Sequence, residues 1–598
     1  MVERVQNLNS EVEMIKRLFL GMAANQVTVA CCIMISSVAN GIFVGKFLGS
    51  QDMASYGLIS PMYLLLSTIS TTFSVGASTY CGTLIGKGNV QKAKEVFTTN
   101  AVCVILFALI LTAAVTLGVD SLCEIMGASG ANADLKPGLI SYVYGFAPAF
   151  LPMAASMSLM SFLYIEGAKK RILLSIVAST LVNIIGDLLN VYVFHGGLFG
   201  IAAATSLSYY VSCLILALHY RHGATIFFTR ENFSFKPLTE IITLGFSNAI
   251  SRLSVFGRIF AINHLLAASF PQIALTAFSV RNSLDNLYLS VVFGIMASIL
   301  TMGAVYSGEE DKKSLKILYK ITLKYGLMVT LFITVVVLFF AEKIVMIYLP
   351  NSPEAVPETV TALSLYIISV PLYLIGGIYK SLSRVLRQKI LSTVICALED
   401  FGFVVLFAYL LGYSVGLHGV WISFLLGEIA TLIFIFCAMY KHCGHFPKTL
   451  DDLLMLPKDF DVSTKERFRV TVTNIEEVMK ASEDVRKFLL EQGTSERNAY
   501  IMALAVEELA GNIIRWSFKS AQKNTISIYL IFKNEEWILR LRDDCAPFNP
   551  KKWLEMSTKN EDEPSKNMGI RLVTSLAKNI EYLNVLRMNN LLIKIPQN

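Results

Sequence analysis

The side chains with chemical reach sit where ordinary packing would not put them. Asn183 and Asp187 lie four positions apart within an apolar run, so they share one face of a helix. A carboxyl at membrane depth is costly and is a functional candidate by default. Asp187 can exchange a proton, or ligate Na+ together with Asn183 and backbone oxygens. The alternative is that it only hydrogen-bonds neighbouring helices. Arg252, Arg258, Arg281, Asp285, Glu399, Asp400 and Glu428 lie in later apolar runs. Unpaired, each would cost roughly 2.5–3.5 kcal/mol on insertion scales, so pairing is expected. Arg258 and Asp285 are matched in depth. Together these charges predict a polar central cavity, with Asp285 or Glu428 as a second ion or substrate contact. Arg252 and Arg258 leave room for an anionic or zwitterionic substrate. His195 and His418 read as turn residues beside glycines. Past residue 465, Glu508 and Asn512 again share a helix face.

The elements that must position these groups follow from composition. Of 598 residues, 54% are hydrophobic and 16% charged. Ordinary soluble domains carry roughly 25% charged residues. The mean hydropathy is +0.57. A soluble fold cannot hide this much apolar surface, so the bilayer is the solvent for most of it. The net charge of +7 sits in short loops between apolar runs, which argues against nucleic acid as partner. Apolar runs predict twelve spans: 18–40, 53–80, 97–118, 137–165, 171–194, 199–220, 238–268, 272–305, 318–341, 361–383, 390–412 and 416–440. Alternate loops hold 21 and 3 Lys and Arg residues, with Lys380, Arg384, Arg387 and Lys389 counted in the richer set. The positive-inside rule then puts both termini in the cytoplasm. The ten cysteines, mostly in apolar runs and without a CxxC pair, read as reduced fillers. No small-residue cleavage site follows the first apolar run, so no removed signal peptide is expected.

The membrane part repeats at an offset near 220. GKGNVQKAKEVF (86–97) answers SGEEDKKSLKIL (307–318), and HGGLFGIAAA (195–204) answers VGLHGVWIS (415–423). The expected organisation is a cytoplasmic N-terminus (1–17), a six-helix N-lobe (18–220), an inter-lobe loop (221–237) and a six-helix C-lobe (238–441). A linker (442–464) and a soluble domain (465–598) complete it. In that domain strands are predicted over 467–473, 525–532, 536–543, 580–587 and 590–596. Helices are predicted over 475–491, 495–518 and 566–578, with a polar loop over 544–565. The fold class is an all-α polytopic membrane protein joined to a small α+β sandwich.

NGIFVGKFLGSQDMASYGLISP (40–61), LVNIIGDLLNVYVFHGGLFGIAAA (181–204) and the loop 86–97 resemble the MATE family of multidrug and toxin extrusion transporters. The resemblance covers roughly 15–440. It implies H+- or Na+-coupled export of amphipathic compounds across the plasma membrane by alternating access. In that family an Asn and an Asp matching Asn183 and Asp187 form the N-lobe cation site. Asn40 stands where the family usually has an acid in the first span.

The tail resembles the GHKL ATPase fold, nearest the anti-sigma-factor serine kinase type. ALAVEELAGNIIRWSF (503–518), LRDDCAPFNP (541–550) and NMGIRLV (567–573) carry the likeness. It implies Glu508 as general base, Asn512 as Mg2+ ligand, Asp543 as adenine reader and Gly569 at a phosphate-binding helix start. Cys545 replaces a usual Gly, Lys566 and Asn567 replace a Gly pair, and Trp516 replaces a common His. These departures favour a regulatory module, with a cytoplasmic protein as its partner, over an active ATPase. No P-loop is present, so the ion gradient rather than ATP is expected to drive transport. Two competing functions are a flippase for lipid-linked or polysaccharide precursors and a membrane-anchored signalling kinase.

Overall fold

A computed structural model describes most of the chain. Outside the described residues are Met1, parts of 49–59, 127–133, parts of 223–232, 350–352, most of 458–465 and 519–523. Also outside are 546–570, most of 572–578, and residues 534, 587 and 598. The polar loop 544–565 and Gly569, Lys566 and Asn567 therefore fall almost wholly or wholly outside them.

Long helices fill the membrane part. In the N-lobe, α1 is Val2–Phe43 and α2 is Ser60–Gly86. Next come α3 (Val90–Leu117), short α4 (Val119–Ile125), and α5 (Lys136–Phe146) with α6 (Phe150–Ile165) as one broken span. The last two are α7 (Lys169–Leu189) and α8 (Gly197–Ala217). The C-lobe comprises α9 (Leu238–Ser269), α10 (Gln272–Gly308), α11 (Lys312–Tyr348) and α12 (Val356–Val385). It ends with α13 (Lys389–Ala397), α14 (Phe403–Ser414) and α15 (Leu417–Cys443). Ten described helical segments are long and apolar enough to cross a bilayer, and α2 and α9 are helices at the other two expected places. The first span differs from expectation at its start, because the charged stretch before it continues the same helix from Val2.

The repeat is visible in backbone torsions. Four turns at the Lys- and Arg-rich end hold a residue with positive φ: Gly88 and Gly167 in the N-lobe, Glu310 and Arg387 in the C-lobe. The paired positions are 222 and 220 residues apart, matching the sequence offset. Glycine adopts this conformation freely, whereas Glu and Arg are strained by it. The C-lobe turns have therefore traded ease for charge.

The lobes meet along α2. A Cβ on Gly76 would lie 1.9 Å from the Ile241 carbonyl oxygen, and one on Gly245 would lie 2.1 Å from that of Thr72. Nearer the loops, a Cβ on Gly86 would lie 2.2 Å from Val305 O, and one on Gly308 would lie 2.1 Å from Thr83 O. Backbone thus touches backbone, and the basic end of the bundle is shut.

The stretch 442–464 is not wholly a linker loop. It holds α16 (Leu450–Leu454), closed by a capping box between Thr449 and Asp452. The tail follows with β1 (Arg467–Val472), α17 (Ile475–Glu491) and α18 (Glu496–Ser517). Strands β2 (Ile526–Lys533), β3 (Glu536–Asp543), β4 (Asn579–Val585) and β5 (Met588–Pro596) complete an antiparallel sheet ordered β1-β2-β3-β5-β4. Side chains alternate faces along a strand. Leu539 and Leu541 of β3 join the core against the helices. Arg540 and Arg542 face the other way, onto the membrane part.

Candidate functional site

In the N-lobe, α1, α7 and α8 bring four polar side chains into one buried cluster. Asn40, Asn183 and Asp187 are all buried, Asp187 completely. The Asn40 amide satisfies its neighbours when its nitrogen donates to Asp187 Oδ2 and Asn183 Oδ1, each at 2.8 Å, and to Ser36 O at 3.0 Å. Its oxygen then accepts from Thr205 Oγ1 at 3.0 Å. Asn183 Nδ2 donates to Thr205 Oγ1 at 3.1 Å. Asp187 Oδ1 is buried without a hydrogen-bond partner among the described residues. A buried acceptor left so is costly unless something charged or protonated meets it. Directly after Asp187, the helix loosens into a π-helical turn, Asn190–Phe194. Such turns are common at functional sites. Thr205 escaped the sequence reading, although a hydroxyl within the small-residue run of α8 was the available signal. His195 sits at the end of the π-turn with φ 47°, as a turn residue should.

The C-lobe handles its charges differently. Asp285 pairs with Arg281 four residues earlier, not with Arg258 as expected. One helical turn separates that pair, whereas Arg258 stands over the Phe424 ring at 5.6 Å. Arg281 is sandwiched at 4.2 Å from the Tyr366 ring and 4.0 Å from Phe424. Glu399 and Asp400 sit in another π-turn, Leu398–Gly402, both fully buried. Lys380 Nζ reaches Glu399 at 2.6 Å and Asp400 at 3.2 Å. Ser251 and Tyr373 also donate to Asp400.

The sequence reading placed Lys380 and Arg384 in a loop; both belong to α12 and are buried. They are internal counter-charges rather than topology signals, because α12 runs on to Val385. Arg384 donates to Ser247 Oγ at 2.9 Å. Glu428 is buried, and its Oε2 has no partner among the described residues. Arg252 is exposed. Neither Arg252 nor Arg258 forms a salt bridge among the described residues.

In the tail, Glu508 and Asn512 are half-buried on α18. Asp543 ends β3 on the helix-bearing side, accepting from Asn589 Nδ2 at 2.8 Å and Cys545 N–H at 2.9 Å. Burial pushes the Asp543 carboxyl above its usual range, and those two donors restrain the shift. Cys545, where glycine was expected, is buried beside it, and its thiol is pushed up to about 12, chiefly by burial.

Comparison with known proteins settles the family. The MatE family model matches residues 27–189 and 249–410, one stretch in each lobe. The chain belongs to the MATE family. A histidine kinase-like ATPase domain model matches 471–591, so this MATE protein carries an HATPase-type domain at its C-terminal side. A FAD transporter of Shewanella oneidensis is 25% identical over 373 residues, 60% of this chain and 78% of that one. The multidrug export protein MepA of Staphylococcus aureus is 22% identical over 401 residues, 66% of this chain and 86% of its own. Among solved structures, the outward-facing conformation of a multidrug resistance MATE transporter matches with TM-score 0.67 at 20% identity, over 73% of this chain and 97% of that one. A Pyrococcus furiosus transporter described as having a binding pocket of reverse polarity matches with TM-score 0.66 at 21% identity. It covers 73% of this chain and 97% of its own.

Proposed function

We propose that this MATE protein exports amphipathic small molecules across the plasma membrane, in exchange for H+ or Na+, by alternating access. Both termini are then cytoplasmic, and the tail regulates transport. The observation that carries the coupling is the oxygen-lined cluster around Asp187, whose Oδ1 has no hydrogen-bond partner among the described residues. One carboxylate there can take one proton. Its oxygens, with those of Asn40, Asn183 and Thr205, equally make a donor set suited to a hard cation. Occupancy neutralises the acid, and loss of the cation restores a buried charge. That difference is what alternation between two cluster geometries can use.

The test is efflux from vesicles under imposed H+ or Na+ gradients. Asp187→Asn should abolish gradient-driven efflux while membrane insertion stays intact. Wild-type efflux in that variant would place coupling elsewhere. The gradient that sustains wild-type efflux names the ion.

A second reading concerns the substrate. Among the described residues neither Arg252 nor Arg258 forms a salt bridge, which favours a cargo bearing a carboxylate or phosphate, such as a lipid-linked precursor. The FAD-transporting relative supports this reading. Competition assays with anionic and cationic compounds separate the two.

For the tail, Glu508 and Asn512 on one helix and Asp543 on the facing strand fit a nucleotide with Mg2+. Bound ATP would supply a transferable phosphoryl group. Glu508 would act as base, Asn512 as metal ligand and Asp543 as adenine reader. Gly569, which lies outside the described residues, would hold the phosphate end by the resemblance alone. Labelled ATP incubated with the full-length protein and Mg2+ tests it.

A further inference from the structure

The tail does not hang free. Its sheet lies across the basic end of the bundle, from the α10–α11 turn and α1 under β1 to the N-lobe under the β4–β5 hairpin. At one edge, Arg469 of β1 pairs with Asp311 of the α10–α11 turn at 2.9 Å and with Glu11 of α1. On β2, Lys533 pairs with Glu310, the strained residue of that turn. At the centre, β3 touches both lobes. Arg542 pairs with Glu309 of the C-lobe, and Arg540 donates to Gly86 O of the N-lobe at 2.9 Å. On β5, the Leu592 side chain lies against Gly88 of the α2–α3 turn. At the far edge, the β4–β5 hairpin tip enters the N-lobe. Leu586 there has φ 57° and donates its N–H to Ile165 O at 2.7 Å. Leu583, Val585, Leu586 and Met588 belong to the core of the membrane part, not to that of the tail.

We infer that this sheet is a clasp across the two lobes, holding the basic end shut and releasing the C-lobe turn before that end can open. The inference rests on the alternating-access reading above and adds the device that controls it. Three points carry it. The residues bridged, Gly86 and Glu309, flank the place where Gly86 meets Val305 and Gly308 meets Thr83. Opening must separate those backbones, and one rigid sheet cannot hold both sides while they part. The C-lobe contacts are ionic, so release exposes hydratable charge rather than apolar surface. The N-lobe contact at the hairpin tip is apolar, whereas β1 meets Glu11 of α1 through an ion pair, so the β4–β5 end of the tail is its fixed part and the ionic contacts of β1, β2 and β3 are the releasable one.

Hydrogen exchange on the full-length protein in lipid nanodiscs tests the clasp without reference to transport. In Lys533→Glu, exchange over 305–313 and over 83–89 should rise together, by roughly twofold to fivefold for a half-exposed pair. Combining Lys533→Glu with Glu310→Lys should restore the wild-type pattern. Arg542→Ala should produce a larger rise in both segments. A rise confined to 309–313, with 83–89 unchanged, would overturn the clasp, as would failure of the charge swap to restore exchange. A transport-dead protein with coupled exchange would instead strike at the export reading alone.

Discussion

The two lobes are repeats of one design, yet Asp187 of one and Asp285, Glu399 and Asp400 of the other are treated in opposite ways. In the N-lobe, Asp187 is surrounded by neutral amides and a hydroxyl. In the C-lobe, Glu399 and Asp400 share Lys380, and Asp285 has Arg281. A built-in cation makes an acid structural, because removing either partner strands a charge. An acid without one is available to an exchangeable cation. The N-lobe helix loosens into a π-turn three residues beyond Asp187, and the C-lobe π-turn contains Glu399 and Asp400, so each lobe has a π-turn near its acid and they differ most in the counter-charge.

The widest gap between lobes should appear on removing counter-charge. Lys380→Met strands Glu399 and Asp400 and should destabilise the protein by about 3–5 kcal/mol. Asp187→Asn should shift stability by under about 1 kcal/mol while stopping coupled transport, because it removes a charge that no protein cation balances. Thermal unfolding of the two variants in detergent checks this. Equal losses would erase the distinction. Next comes Gly376→Ala, whose Cβ would lie 2.1 Å from Glu399 Oε1. It should cost about 1–3 kcal/mol through displacement of the carboxylate from Lys380. Thr205→Val should be milder, roughly 0.5–1.5 kcal/mol for a lost hydrogen bond, but should weaken coupling-ion affinity. The ion concentration for half-maximal efflux reads that loss.

The smallest effect lies outside both lobes, in the capping box of α16. Hydrogen bonds from Lys448 and Thr449 backbone N–H hold the Asp452 carboxyl down to about 2, from an ordinary 3.8. A depressed acid stabilises the fold above its unfolded pKa and stops doing so as pH falls through the folded one. Protection of amides 449–453 should therefore fall between about pH 4 and pH 2 and stay flat above it.

Much of this architecture was legible because each signal was local. Span lengths, the offset between loops 86–97 and 307–318, and the period-two strands of the tail need only neighbouring residues. Asn183 and Asp187 were legible for the same reason, one turn apart. Partners across helices were not. Nothing in sequence distinguishes Lys380, inside α12, from Lys389 beyond the α12–α13 turn. Asp285 had two arginines within reach by depth, and only the packing of Tyr366 and Phe424 around Arg281 decides between them. Thr205 joins the N-lobe cluster through a crossing of α8 over α7, which no pattern along the chain encodes.

The hairpin tip around Leu586 has a consequence for how the tail answers its surroundings. Dissolved salt weakens attraction between charges and leaves oily contacts intact. Rising ionic strength should therefore loosen the ion-paired strands β1, β2 and β3 while the hairpin tip stays seated, like a door swinging on a greased hinge. The electrolyte content of the solution around the tail would then set how often that door stands ajar, with no messenger required.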